Sequence, residues 1–353
     1  MKDVGEPCDG RSTAPRAATT GASRSRAASR RGVETIGCAI GCDPRTVLPA
    51  WLGVAVRAAP SANVALVRGR EPLLVDGGEG QAPAIERTLA WLGDARPARL
   101  VLTHWHPDHA GAVAWLARER GVAVLAHEAE ADLGAHEDPC DARWLGQPVA
   151  RYAVDTALRD GDVVEVPGGP ALQVVATPGQ TAGHIALWEP EARVVLTGDL
   201  LQRDDVAWLP LDDAALEAAI GSVERLGALG ARLAVPGHGP VVEDVAACVE
   251  RTLARYERWR SDRAGWAWHG ARRLVAAQAV LRGPAPREAL LERVGAVPAL
   301  GAMSAVVGED AAAGALAALL RSGALAERGG RIVACFPHEP CGPWVVPPDL
   351  GPR

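Results

Sequence analysis

Between Thr103 and Gly111 the chain reads THWHPDHAG, placing His104, His106, Asp108 and His109 within six positions of a 353-residue sequence that has nine histidines. Imidazole and carboxylate together suit zinc, iron or manganese. Crowded into one loop, such groups repel one another when protonated and need many hydrogen-bond partners when neutral. A polar loop has no use for that density, whereas a metal site does. Two alternate histidines followed by an Asp-His pair can face two adjacent ions. One loop cannot fill two coordination spheres, so the spacing predicts further ligands where strands end in Gly/Pro turns. His184 in TPGQTAGH, Asp199 in LTGD and His238 in PGHGP occupy such places. Singly, each has an ordinary explanation as a turn residue. Their order after HxHxDH makes them a set.

The elements that must hold this set alternate along the chain. Residues 63–69 and 71–78 read as two short strands joined by a turn. Residues 82–93 form an amphipathic helix, 99–104 a buried strand, 110–121 a helix ending at glycine and 122–127 a strand. Segments 162–169, 172–179, 184–190 and 193–199 are consecutive strands between Gly/Pro turns. Helical spacing returns over 212–230, with an aspartate available as N-cap. Residues 232–240 are a short strand running into a loop, and Val242, Val245, Ala246, Val249, Leu253 and Tyr256 give another helical face. The expected class is α/β, an αβ/βα sandwich in which each sheet is covered by helices on its outer face. From 262 the chain is mostly helical, over 265–281, 286–294 and 310–325, followed by a tight hairpin at 326–335. Three helices and a hairpin is the order of a winged-helix module. The expected organisation is a disordered tail at 1–43, a catalytic domain at 44–261, a winged-helix-like domain at 262–335 and an irregular end at 336–353.

Composition narrows the function classes. With 48% hydrophobic and 23% charged residues, the chain can bury a substantial core. Lys2 is the single lysine, and the net charge is −6. Residues 1–43 and 262–353 each carry +2, leaving −10 on 44–261. An acidic body is a poor polyanion binder, so a nucleic-acid substrate is not favoured. The seven cysteines form no CxxC pair, which points to a reducing cytoplasm. SRRGVET at 29–35 resembles a twin-arginine signal and TIGC at 35–38 a lipoprotein cleavage site. Both lack the hydrophobic stretch of roughly 7–15 residues that export requires. No run approaches the roughly 18–20 apolar residues of a membrane helix, so no membrane partner is expected.

The set THWHPDH, TPGQTAGH, TGD and PGHGP resembles the metallo-β-lactamase fold superfamily over about residues 44–261. The resemblance implies a four-layer αβ/βα sandwich, with the small, mostly helical, winged-helix-like domain behind it. It implies one metal at His104, His106 and His184, another at Asp108, His109 and His238, and Asp199 bridging the two. Asp76, in LVDGG, matches an acidic residue packed behind the metal loop. Two positions depart from relatives. True β-lactamases of this fold have a cysteine where Asp199 stands, so antibiotic hydrolysis is not implied. Gln180 stands where many relatives have histidine, at a position that is not normally a ligand. The pattern is closer to hydroxyacylglutathione hydrolases, lactonases and β-lactamase-like ribonucleases.

The implied activity is that of a binuclear metallo-hydrolase. Two divalent ions, Zn2+ first with Mn2+ and Fe2+ as alternatives, share a hydroxide that Asp108 orients toward a small ester, thioester or lactone. Three other readings stay open. A β-lactamase-like endoribonuclease or phosphodiesterase would use the winged-helix-like domain, against the acidic charge of the body. A mononuclear iron enzyme resembling persulfide dioxygenases would leave His109 and His238 without a purpose. A binding protein with a structural metal would not need the complete ligand set. The helical domain is expected to be a substrate-pocket wall or a homodimer contact, and LLQRDDVAWLP (200–210) to shape the pocket. Asp204 and Asp205 stay open as substrate contacts. His127 and His136 read as surface helix and loop, His269 as packing within the helical domain or against the body, and Cys38 and Cys42 as structurally indifferent.

Overall fold

A computed structural model describes residues 47–134 and 149–339. The expectations for 1–43, for most of 336–353, and for His136, Cys38 and Cys42 lie outside these residues. Two mixed sheets form the body. The first has six strands in the order β1 (Leu52–Ala55), β2 (Val64–Val67), β3 (Leu73–Val75), β4 (Arg99–Val101), β5 (Ala123–His127) and β6 (Thr156–Leu158). Its first two pairings are antiparallel, and β3 to β6 run parallel. The second sheet runs β11 (Leu233–Pro236), β10 (Val194–Gly198), β9 (Ile185–Glu189), β8 (Ala171–Ala176) and β7 (Val163–Glu165), with only β10 and β11 parallel.

Three apolar clusters separate four layers. Between the sheets lie Leu73, Val101, Leu172, Ile185, Leu187 and Val235. Outside the first sheet, α1 (Ala82–Leu92) and α3 (Val113–Arg120) cover Leu74, Leu100 and Val124. Strand residues facing alternately into two cores explain runs such as LVL at 100–102, which are apolar throughout rather than alternating. Outside the second sheet, α5 (Asp213–Ala228) and α6 (Val245–Ser261) bury Ile220, Val223, Cys248 and Tyr256. Asp212 and Asp244 cap α5 and α6 by accepting hydrogen bonds from the amides of Ala215 and Ala247, at 2.9 and 3.0 Å. The four-layer α/β sandwich is therefore as expected. Strand β1 and helix α4 (Glu128–Gly134) are additions to the sequence reading, as is β6.

Beyond Asp262, which ends α6 and caps the next helix through the Gly265 amide, the chain is helical. It forms α7 (Arg263–Leu281), α8 (Arg287–Gly295), α9 (Pro298–Val307) and α10 (Ala311–Arg321), then a hairpin of β12 (Leu325–Arg328) and β13 (Arg331–Ala334). Three helices and a hairpin were expected; α9 is a fourth. Its sequence, PALGAMSAVV, lacks a polar side at helical spacing, so periodicity did not separate it from a linker. These elements share a core of Leu274, Val275, Leu290, Leu300, Met303 and Leu316. Trp266 of α7 stacks on Trp259 of α6 with ring centroids 5.7 Å apart and belongs to the core of the body. His269 packs on the same Trp259 at 5.1 Å, between the helical region and the body as expected. After β13 the chain returns to the first sheet. The Glu339 amide donates to Ala59 O at 2.9 Å, and its carboxylate pairs with Arg87 and Arg57. Among the described residues, no single helix is long and apolar enough to cross a membrane.

Candidate metal centre

The candidate residues gather at one edge of the two sheets. His104 and His106 follow β4, Asp108 and His109 lie in the one-turn helix α2 (Pro107–Ala110), and Asp199 and His238 follow β10 and β11. His184 immediately precedes β9, which runs antiparallel to β10, so its start lies beside the end of β10. Crevices beyond the carboxyl ends of parallel strands are where open α/β sheets bind ligands.

Two groups of three have their ligand atoms within 4.8 Å of one another: His104, His106 and Asp199, and Asp108, His109 and His238. His104 Nε2 and His106 Nδ1 are 2.9 Å apart. His238 Nε2 lies 2.9 Å from Asp108 Oδ2 and 3.5 Å from Asp199 Oδ1. His109 Nε2 lies 3.1 Å from the same Asp199 oxygen. Asp199 thus faces both groups, the position expected of a bridging residue. His184 is brought beside the first group, its ring 4.9 Å from that of His104. Its Nε2, however, accepts a hydrogen bond from the Asp199 amide at 3.1 Å. A buried neutral imidazole places its lone pair on the nearest N–H, and a cation at the first group would compete for it.

The donor set fits cations. His109 Nε2 and Asp199 Oδ1 are buried and face each other at 3.1 Å, and neither makes a well-aligned hydrogen bond. Poorly satisfied buried polar atoms are costly, and a cation held by both would satisfy them. Two glycines keep the space open. A Cβ at Gly237, in PGHGP, would collide with Asp199 Oδ1 and His109 Cε1, and one at Gly198, in TGD, with His184 Nε2. Burial lowers the pKa of His106 to about 4 and of His184 to about 3, leaving both as neutral donors. Burial also opposes the charge on Asp199, but His238 and His109 hold its carboxyl well below the usual range. For His109, burial is outweighed by Asp76, Asp199 and Asp108, and its pKa rises well above the ordinary value. Among protein groups alone, the protons on the histidines do the work that a cation displaces when it binds.

The surrounding groups fix these side chains. Asp76, buried and with a left-handed φ of 61°, accepts from the Thr103 amide at 2.8 Å and from Thr103 Oγ1. Its other oxygen is 2.8 Å from His109 Nδ1. That is the expected place behind the metal loop. Gln180 donates from Nε2 to Asp199 Oδ2 at 2.7 Å, which gives the departure at this position a direct contact with the bridging candidate. Glu130 of α4 was missed by the sequence reading. Fully buried, it accepts from Thr181 Oγ1, Gly183 N and Trp105 N at 2.7, 3.1 and 3.2 Å, tying the HWHPDH loop to the turn before His184. Burial pushes its pKa up to about 7. In HEAEAD nothing distinguishes this glutamate from solvated neighbours. Asp204 pairs with Arg203 and Asp205 with Arg273, and neither lines the cavity described next. His127 is half-buried at the end of β5.

A cavity of about 430 Å3 opens over the centre. His106, Asp108, Asp199 and His238 form its floor, and Trp105 and Trp208 flank it. Residues of α7, the Val297–Ala299 segment and Phe336 complete it. The helical region is thus a wall of the pocket, and Trp208 brings in the 200–210 segment as expected.

Residues 58–238 match the family model described as the metallo-beta-lactamase superfamily. The chain is 30% identical over 192 residues to the atrochrysone carboxyl ACP thioesterase of Aspergillus fumigatus, 54% of each chain. It is 30% identical over 210 residues to the acyl-coenzyme A thioesterase MBLAC2 of Bos taurus, 50% of this chain and 72% of that one. The chain spans about half the length of the first curated relatives it matches. Among solved structures, a metallo-beta-lactamase family protein from Thermus thermophilus aligns with a TM-score of 0.54 and 25% identity. That alignment covers 82% of this chain and 100% of the other, more than residues 47–261 alone supply.

Proposed function

The chain belongs to the metallo-β-lactamase superfamily, and from that premise we propose that it is a binuclear metal-dependent hydrolase of thioesters, with oxygen esters and lactones as lesser substrates. The carrying observation is that His106, Asp108, Asp199 and His238, drawn from two adjacent donor groups that Asp199 faces, form the floor of one mostly apolar cavity. The thioesterase names of two relatives favour the thioester among acyl substrates.

His104, His106 and His184 would hold one divalent ion and Asp108, His109 and His238 the other, with Asp199 between them. Such a pair supplies a water nucleophile at neutral pH and an electrophile for the carbonyl oxygen. Asp108 lines the cavity, and His109 and His238 offset burial to keep its carboxylate ionised. It accepts the proton of the attacking water and returns it to the departing thiolate, so thioester and water give acid and thiol. Gln180 holds Asp199 in orientation through Oδ2 and leaves Oδ1 facing the site. Trp105 and Trp208 shield the reacting carbonyl from bulk water.

Metal analysis of the chain purified without chelator or added metal tests the premise, followed by hydrolysis of matched thioester, ester, lactone and phosphodiester substrates. Two divalent ions per chain and preference for the thioester are expected. One tightly held iron, or phosphodiester cleavage alone, overturns the assignment.

A further inference from the structure

Helix α7 carries more apolar surface than its own core uses. Arg273, Ala276, Ala277, Val280 and Leu281 line the cavity at the i, i+3, i+4, i+7, i+8 spacing of one helical face. Ala267, Ala271, Val275 and Ala279, on another face, pack into the core of the helical region. Among the described residues, Ala277, Val280 and Leu281 take no part in any of the four apolar clusters. Val280 is buried and Ala277 and Leu281 are half-buried, and all three line the cavity without joining an apolar core. Val297 and Phe336 line the same cavity, as do His106, Asp108, Asp199 and His238 of the candidate centre.

We propose that this stripe is the wall of an acyl-chain pocket, and that it sets which acyl length the enzyme hydrolyses. The proposal rests on the thioester reading. The leaving side of a biological thioester carries amides and phosphates, which this lining does not match. Among the described residues, Arg273 is the only lining cation beyond the floor, and its guanidinium is already committed to the Asp205 carboxylate at 2.7 Å and to Val206 O at 2.9 Å. Both bonds leave from Nη1, and the Asp205 carboxylate offsets the charge of this one cation, which makes it a weak anchor for an anionic group. A hydrocarbon chain asks for nothing but area, and a cavity of about 430 Å3 lies in the range of small-molecule sites, about 300–1,000 Å3. With its carbonyl at the floor, an unbranched chain lies along α7. Ala277 is the position where a larger side chain would shorten the pocket without touching the floor.

The test measures kcat/KM for N-acetylcysteamine thioesters from acetyl to dodecanoyl, and Kd for methyl alkyl ketones of matching length. The ketones carry the chain and the carbonyl but no leaving group, and binding is read from tryptophan fluorescence. Burying a methylene is worth about 0.8 kcal/mol, roughly fourfold. Both series should therefore improve about fourfold per carbon until the cavity is full. Ala277→Trp should flatten both beyond short chains, with the acetyl thioester losing least. Leu281→Gln, at the half-exposed end of the helix, should weaken the slope if Ala277→Trp does not fold. Flat ketone binding in the wild type, or equal losses for acetyl and long-chain substrates in both variants, overturns the proposal. Length-dependent ketone binding without thioester hydrolysis supports the pocket and sinks the thioesterase reading instead.

Discussion

Asp76→Asn is a demanding perturbation because it keeps the shape of the side chain and changes only its hydrogen-bonding logic. Both carboxylate oxygens are used as acceptors: Oδ1 by the Thr103 amide at 2.8 Å, and Oδ2 by His109 Nδ1 at 2.8 Å. An asparagine has one acceptor, so either the Thr103 amide or His109 Nδ1–H must face an NH2 group. A hydrogen bond to a charged group contributes about 1.5–3 kcal/mol, and one such bond is lost. If the imidazole escapes by changing tautomer, its proton moves to Nε2. That is the lone pair 3.1 Å from Asp199 Oδ1 and facing the candidate ion. Replacing an outer partner of a metal-ligating histidine typically costs 10–100-fold in metal affinity. The loss should fall on the ion held by Asp108, His109 and His238 and spare the one near His104 and His106. Competition with a chromophoric chelator reads the two affinities separately, and the melting temperature with and without metal reads the folding cost. If both ions bind the variant within about twofold of the wild type, His109 is not oriented by Asp76 and the two-group assignment is wrong.

Gly237→Ala places a methyl group where Asp199 Oδ1 and His109 Cε1 already are. Metal retention should fall more than about tenfold with the far-ultraviolet dichroism unchanged, and a fully loaded variant would contradict the cradle. His269 offers a pH-dependent test away from the metal ligands. Burial, helped by Arg273 and opposed by Asp205, lowers its pKa from 6.5 to about 4. Between those values the unfolded chain binds a proton that the folded chain refuses, so its share of stability is full above about pH 6.5 and falls as pH drops toward 4. The difference between those two values is worth roughly 3 kcal/mol. In His269→Phe, denaturant titrations should show that part of the acid sensitivity gone, and an unchanged slope against pH would refute it.

What the sequence disclosed follows from how densely each feature is written. HxHxDH compresses four donors into one loop, and the remaining donors sit at strand ends that Gly/Pro turns mark. The four layers were legible because strands facing two cores read as continuous apolar runs. Glu130 was not, because one buried acid among EAEAD looks like its solvated neighbours until the fold lays Thr181 and Gly183 against it. Gln180 could be seen as a departure, but its contact with Asp199 depends on two turns meeting in space. His184 carries a detail of the same kind. Its order in the motif implies a ligand, and the Asp199 amide that its Nε2 accepts from is a contact no spacing reveals.

The pocket wall exposes the deepest of these limits. ARRLVAAQAVL is apolar around most of the helix, so periodicity cannot say which face meets a core and which meets a cavity. Asp262 capping α7 and the Trp259–Trp266 stack at the α6 junction set the start and rotation of that helix. On the far side, Glu339 on Arg87 and Arg57 anchors the returning segment that carries Phe336 into the pocket. None of these anchors is a residue of the metal motifs, so the centre and its substrate wall can vary independently. A change on the Ala277–Leu281 stripe alters what reaches the centre while every metal motif stays intact. For the same reason the motifs point to chemistry and family, whereas the substrate has to be read from the face that α7 turns toward the cavity.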